Sequence, residues 1–300
     1  MTEEMIQLGH IGLNVRYSLT DKPGILFLHF SGGNLHMWDG IVPQFNKEYS
    51  IIAPDLRGHG KSDKPATGYH IDDMAKDMYL LLKRLNVGHC HVVGSSMGAE
   101  VGLSLAASHP KLVLSLVCEG ALSNEFGEYG LFNGTAEEIE QKKAAWWAGL
   151  AERPDPEFNT KEEYIEKERE KLIAAGLWNE NFRVFFEHNL QQLPNGKFTH
   201  CCSNQVKTQY VQEYWDVKFE RYYEKTRCPV LFLPSEEEWN DEKVRRNLTS
   251  FASLLDTYEI QHIKDSIHAY VWMQFPIAAG KAVKRFFEKG GWTWREQEKC

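Results

Sequence analysis

The chain has 300 residues, 42% of them hydrophobic and 25% charged, which is the composition of an ordinary globular protein and not of a disordered or membrane-embedded one. A formal charge of -8 and a pI near 5.9 argue against nucleic acid as a partner, because phosphate binding needs a basic surface; a small-molecule substrate is expected instead. Met1-Thr2-Glu3-Glu4 offers neither a basic nor an apolar leader segment, and no apolar run approaches the ~20 residues that span a bilayer, so a cytoplasmic protein without membrane contact is expected.

In chain order, residues 5–9 and 12–18 read as a strand pair, followed by the apolar run Ile25-Leu26-Phe27-Leu28-His29 of a buried parallel strand. A strand around 49–55 ends in the breaker-rich loop Leu56-Arg57-Gly58-His59-Gly60-Lys61-Ser62. Residues 71–85 have apolar side chains at helical spacing, with Asp72 and Asp73 in the first turn and Lys83 and Arg84 in the last, as the helix dipole prefers. The strand Cys90-His91-Val92-Val93, a helix over 97–108 and the strand 113–118 complete a regular alternation, which implies a doubly wound, mostly parallel α/β sheet.

The rhythm breaks between Asn124 and Lys225, where no clear strand is visible and helices are predicted near 136–150, 161–175, 179–192 and 204–222. An insertion of this size after the strand ending near Cys118 reads as a helical cap over a site. The domain reading is therefore a core of 1–123 and 226–300 with a cap over 124–225. Strand–helix alternation resumes with the strand 229–233, a helix near 241–254, a strand near 256–263 and a last helix near 276–288.

Gly94-Ser95-Ser96-Met97-Gly98 lies between an apolar strand and a helix, the setting in which a sharp turn exposes a serine hydroxyl as a nucleophile. Such a hydroxyl needs a base. Of the later histidines, His188 and His200 fall in the insertion and His262 in a strand. His268 follows the last strand at its carboxyl end, where sites of open α/β sheets form. The acid that orients the histidine has two sources: the run Glu236-Glu237-Glu238 after the strand ending at Leu233, or Glu119 at the end of the strand before the insertion. Two backbone donors should hold the oxyanion, those of Met97 and Phe30, while His29 reads as structural. Trp146, Trp147, Trp178, Phe182, Phe185 and Phe186 could wall an apolar substrate pocket, with Trp146 and Trp147 the first candidates, although most of the six fit packing inside the insertion better.

The six cysteines, Cys90, Cys118, Cys201, Cys202, Cys228 and Cys300, show no C-x-x-C spacing, so free thiols and no metal or cofactor are expected; the one arrangement of interest is Cys201-Cys202 after His200.

Four segments together resemble the cap-bearing α/β-hydrolases: Leu28-His29-Phe30-Ser31-Gly32-Gly33, Ala53-Pro54-Asp55-Leu56-Arg57-Gly58-His59-Gly60-Lys61-Ser62, Gly94-Ser95-Ser96-Met97-Gly98 and Asp265-Ser266-Ile267-His268. The resemblance implies the α/β-hydrolase fold and makes Asp55–Gly60 a structural turn. It also favours Glu238 as the acid, since family members place an aspartate at that position, with Glu119 as the alternative. Phe30 stands where the family often has glycine, which would narrow the acyl site. Serine at 96 sets the chain apart from relatives with an aspartate or cysteine nucleophile. The function implied is hydrolysis of a small carboxylic ester through an acyl-enzyme. Carbon–carbon bond hydrolysis by the same residues, or slow-turnover ligand sensing, are the alternatives, and the oligomeric state is open.

Overall fold

A computed structural model describes residues 1–120, 123–127, 129–150 and 153–289. Cys300, expected to be a free thiol, and the last part of the expected core (290–300) lie outside the described residues, as do 121 and 122; the other five cysteines are buried free thiols.

The core opens with β1 (Thr2–Gln7), β2 (Gly12–Ser18), β3 (Gly24–Leu28) and β4 (Ser50–Pro54). Then come α1 (Ile71–Arg84), β5 (Cys90–Ser95), α2 (Met97–Ser108) and β6 (Val113–Glu119). The insertion holds β7 (Asn124–Phe126), β8 (Gly130–Phe132), α3 (Ala136–Leu150), α4 (Lys161–Ala174), α5 (Glu180–Glu187), β9 (Leu190–Gln192), β10 (Phe198–His200), α6 (Asn204–Tyr214) and α7 (Glu220–Tyr223). The core closes with β11 (Val230–Phe232), α8 (Glu236–Asn240), α9 (Glu242–Ala252), β12 (Tyr258–Ile260), α10 (Val271–Gln274) and α11 (Pro276–Lys289).

Eight strands form one sheet in the order β1-β2-β4-β3-β5-β6-β11-β12. β1 and β2 pair antiparallel, β2 pairs antiparallel with β4, and every pairing from β4 to β12 is parallel. This is the α/β-hydrolase fold with the doubly wound, mostly parallel sheet that the strand–helix alternation predicts. β3, β4, β5 and β6 are buried along their whole length, as a sheet covered on both faces requires. α1 buries Ile71, Met74, Ala75, Met78, Leu81 and Leu82 on one stripe, and the His70 side chain accepts from the Asp72 amide at its N-terminus.

The insertion is not helical throughout. β7 pairs with β8, and β9 with β10, in three-residue ladders that fall inside the stretch read from sequence as strand-free. Three residues are too few to display a two-residue period. The stretch 179–192 accordingly divides into α5 and β9, and 204–222 into α6 and α7. Phe182, Phe185 and Phe186 of α5 are buried against Trp38 and Trp272 of the core in one apolar cluster. Asn179 and Asn181 both donate to the Met273 carbonyl, at 2.9 and 3.0 Å, and Asn34 donates to the Phe185 carbonyl at 3.3 Å. Apolar packing and satisfied polar groups thus seat the insertion on the sheet. No helix among the described residues is long and apolar enough to cross a membrane.

Beyond β4, Asp55 gathers the loops below the site. It accepts from the Leu35 amide at 2.8 Å, from Asn14 Nδ2 at 2.9 Å and from the Lys61 amide at 3.0 Å. Arg57, two residues on, makes a bidentate pair with buried Asp77 of α1, at 2.6 and 2.7 Å. His29 Nε2 accepts from the Leu56 amide at 2.9 Å, so its Nδ1 donates to the Phe30 carbonyl at 2.8 Å. Asp55 and His29 are therefore structural, as the sequence suggests. Asp55→Ala should strand these buried donors and cost about 3 kcal/mol of stability, read as a lower urea midpoint at unchanged m value. A loss below about 1 kcal/mol would show that water takes over the bonds.

Candidate active site

β5 runs buried to Ser95, and α2 begins at Met97. The one residue between them, Ser96, carries the whole reversal, with φ 50° and ψ -121°, in a region L residues avoid. Its amide donates to the Glu119 carbonyl at 2.8 Å, and its carbonyl accepts from Ala99 and Glu100 at 2.8 and 3.1 Å. Gly98 lets the turn close: a Cβ there would sit 2.1 Å from the Leu28 carbonyl oxygen and 2.7 Å from that of His29. The first turn of α2, with the Met97 amide, is thereby pressed onto the end of β3, two residues before Phe30. The Phe30 ring turns away to pack 5.7 Å from Phe185 and 6.1 Å from Tyr270, outside the cavity above Ser96.

His268 lies between β12 and α10. A Cβ on Gly120, whose φ of +102° already favours glycine, would fall 2.9 Å from His268 Cε1 and 3.5 Å from Ser96 Cα. The imidazole and Ser96 therefore both border the residue that follows β6.

Both acid candidates reach this histidine. Glu119 Oε1 accepts from His268 Nδ1 at 3.0 Å, and its Oε2 accepts from the Ser95 hydroxyl, so a fully buried carboxylate is bonded on both oxygens. Glu238 Oε1 stands 3.5 Å from the same Nδ1, beyond good hydrogen-bond range. Its Oε2 is committed to a capping box at the start of α8, accepting from the Ser235 amide and hydroxyl at 3.0 Å each. The geometry thus reverses the order of preference drawn from the sequence, because Glu238 is bound to its own helix. The β5–β6 register, which pairs Ser95 with Glu119, delivers the other carboxylate directly.

Burial opposes a charge on His268, but Glu119 and then Glu238 and Glu237 outweigh it and raise its pKa to about 9. The ligand atoms of Glu119, Glu238 and His268 lie within 4.8 Å of one another, close enough to surround a cation. In this structure Glu119 spends its oxygens on Ser95 and His268 instead.

Ser96, Gly120, Glu238 and His268 line a cavity of about 340 Å³ together with residues of the insertion. Of the two tryptophans expected there, Trp146 lines it. Trp147 does not: it is 37% exposed and borders a separate groove beside Arg153 and Asn204. Successive residues of a helix point about 100° apart, so both could not face one cavity. Trp178, Phe182, Phe185 and Phe186, also candidates for that wall, do not line it; Trp178 packs with Phe186 at the margin of the apolar cluster. Glu100, Tyr210 and Tyr214 also line the cavity and were not singled out from sequence. For Glu100 a signal existed: it is the one charged residue in an otherwise small and apolar helix, four positions after Ser96.

A family model described as "alpha/beta hydrolase fold" matches residues 23–157. The 2-(acetamidomethylene)succinate hydrolase of Mesorhizobium japonicum is 39% identical over 112 residues, 37% of this chain and 40% of that protein. Fluoroacetate dehalogenase of a Burkholderia species is 33% identical over 141 residues, 45% of this chain and 44% of that protein. The chain thus matches less than half the length of these relatives. Among solved structures, that of E-2-(acetamidomethylene)succinate hydrolase superposes with a TM-score of 0.76 at 24% identity, over 96% of this chain and 99% of the other. A thioesterase domain from the curacin biosynthetic pathway superposes at 0.72 with 16% identity, over 94% and 98%. At such identities the likeness is one of fold.

Because its folded-state pKa lies above the ordinary 6.5, the contribution of His268 to stability is complete below that pH and fades as pH rises through about 9. The imidazole signals should accordingly titrate near that value by NMR, and Glu119→Gln should move the midpoint down toward 6.5. A wild-type midpoint at 6.5 or below would show that the carboxylates do not govern this ring.

Proposed function

We propose that this chain, which has the α/β-hydrolase fold and matches that family model over residues 23–157, is a serine hydrolase that cleaves a small carboxylic ester through an acyl-enzyme. The observation that carries this reading is that Ser96, on its strained strand-to-helix turn, lines one cavity with a histidine whose Nδ1 is held by a buried carboxylate. Hydrolases among the relatives support the class of reaction, and a serine at 96 supports the covalent route.

Ser96 Oγ attacks the substrate carbonyl carbon as its proton passes to His268 Nε2, the nitrogen not engaged by Glu119. The negative charge that develops on the carbonyl oxygen falls to the amides of Met97 and Phe30, strengthened by the N-terminal end of α2. The C–O bond to the alcohol then breaks, and the imidazolium returns its proton to the leaving oxygen. Water repeats the sequence on the acyl-enzyme and restores Ser96. Throughout, Glu119 fixes the ring and stabilises its protonated form without taking the proton. Glu238 adds negative potential beside the same Nδ1.

A histidine so well stabilised as a cation is a poor base at neutral pH. The rate kcat/KM on p-nitrophenyl acetate should therefore rise with pH well past 6.5, toward a midpoint near 9. Glu238→Gln should move that midpoint down with less than about a tenfold change in the plateau rate. Glu119→Gln should lower the plateau by ~10³–10⁴. A fluorophosphonate should label the wild type and not Ser96→Ala. Absence of both labelling and ester turnover would overturn the reading; equal losses from the two glutamine variants would reassign the acid.

A further inference from the structure

The segment between β12 and α10 carries His268, and its backbone is held from two sides by side chains that the reaction does not use. Asp265, three residues before the imidazole, stands at φ 59°, a left-handed conformation that an aspartate tolerates. Its amide donates to Glu236 Oε2 of α8 at 2.8 Å, and its carbonyl accepts from Gln274 Nε2 of α10, also at 2.8 Å. Gln274 Oε1 in turn accepts from the amide of Ile267, the residue before His268, at 3.1 Å. One side-chain amide thus spans 265–267, and a single orientation of it satisfies both bonds.

The two sides lead to different carboxylates. On the α8 side, the Glu236 amide donates to the Ser266 hydroxyl at 3.1 Å and the Glu237 amide to the Ser266 carbonyl at 3.3 Å. The loop is therefore tied to the turn that bears Glu238. Gln274 ties it instead to α10, which is itself fixed: Trp272 packs 5.2 Å from Trp38, and the Met273 carbonyl accepts from Asn179 and Asn181. Glu119 belongs to the sheet, at the end of β6, where Ser95 donates to it. His268 Nδ1 lies 3.0 Å from Glu119 and 3.5 Å from Glu238, so a shift of about 0.5 Å decides which of them bonds the ring.

Resting on the serine-hydrolase reading, we propose that Gln274 is a positioning residue that keeps His268 on Glu119: released from α10, the loop follows α8 and the imidazole passes to Glu238. Gln274 is not among the residues that line the cavity above Ser96, so it acts through the ring and not on the substrate.

Gln274→Met keeps the length of the side chain and removes both bonds. On p-nitrophenyl acetate it should lower kcat on the order of 10–100-fold, as a misplaced base does, with KM changed by less than about twofold. The deciding measurement is a double-mutant cycle. In the wild-type background Glu119→Gln should cost ~10³–10⁴ and Glu238→Gln less than about tenfold. In the Gln274→Met background the Glu119→Gln factor should shrink by at least about tenfold, and the Glu238→Gln factor should exceed about tenfold. Loss of a merely structural support would leave both factors as they were. Gln274→Glu keeps an acceptor for Ile267 and loses the donor to Asp265; it should show the same exchange in smaller measure and serves if Gln274→Met does not fold. The exchange is also read without substrate in the Nδ1–H proton resonance of His268. Glu119→Gln should move that resonance upfield in the wild-type background, and Glu238→Gln should do so in the Gln274→Met background. The proposal is overturned if the Gln274 variant that folds leaves kcat unchanged, or if the two factors are the same in both backgrounds. Absence of labelling and turnover would sink the hydrolase reading, and the resonance would then decide this inference by itself.

Discussion

A chain that leaves a buried parallel strand and enters a helix after a single residue must reverse its backbone at that residue. Ser96 does so at φ 50°, and a conformation of this kind costs of order 1–3 kcal/mol unless its surroundings impose it. Here they do. The Ser96 amide is bound to β6 through the Glu119 carbonyl, its own carbonyl receives α2, and the absence of a side chain at Gly98 lets that helix rest on the end of β3. Removing the strain would require pulling α2 off β3, so the serine is held out over the carboxyl edge by the packing of the whole sheet.

The charges follow from the same edge. β5 and β6 are in register so that Ser95 opposes Glu119, and one buried carboxylate is satisfied by a hydroxyl on one oxygen and an imidazole on the other. A second carboxylate, Glu238, approaches the ring from the α8 capping box. Two acids around one histidine stabilise the imidazolium at rest. The turn and the two acids thus set different things: where Ser96 stands, and over what pH range His268 keeps its proton.

The alternation of strands with helices and the turn were legible in the sequence because both rest on local patterns. Buried apolar runs alternate with amphipathic helices, and the Gly94–Gly98 segment stands between one of each. His268 was legible from its place after the last strand. The choice between Glu119 and Glu238 was not, because it turns on a few tenths of an ångström and on whether a carboxylate is already used by its own helix cap, which no spacing encodes. Trp146 and Trp147 were indistinguishable for a similar reason: adjacent residues of a helix differ in direction, and the direction of α3 is set by contacts with Trp215 and other distant residues. The short ladders β7–β10 escaped because three residues carry no period.

The bond between Glu119 and His268 spans 149 positions, with the entire insertion threaded between its ends. Contacts of such sequence separation form late, since the intervening loop must first be closed at an entropic cost. During synthesis Ser96 and Glu119 emerge long before His268 does. A nascent chain can therefore contain every strand as far as β6 and still lack His268. The pairing of Glu119 with His268 thus needs the last strands of the sheet, β11 and β12, to be in place beside β6.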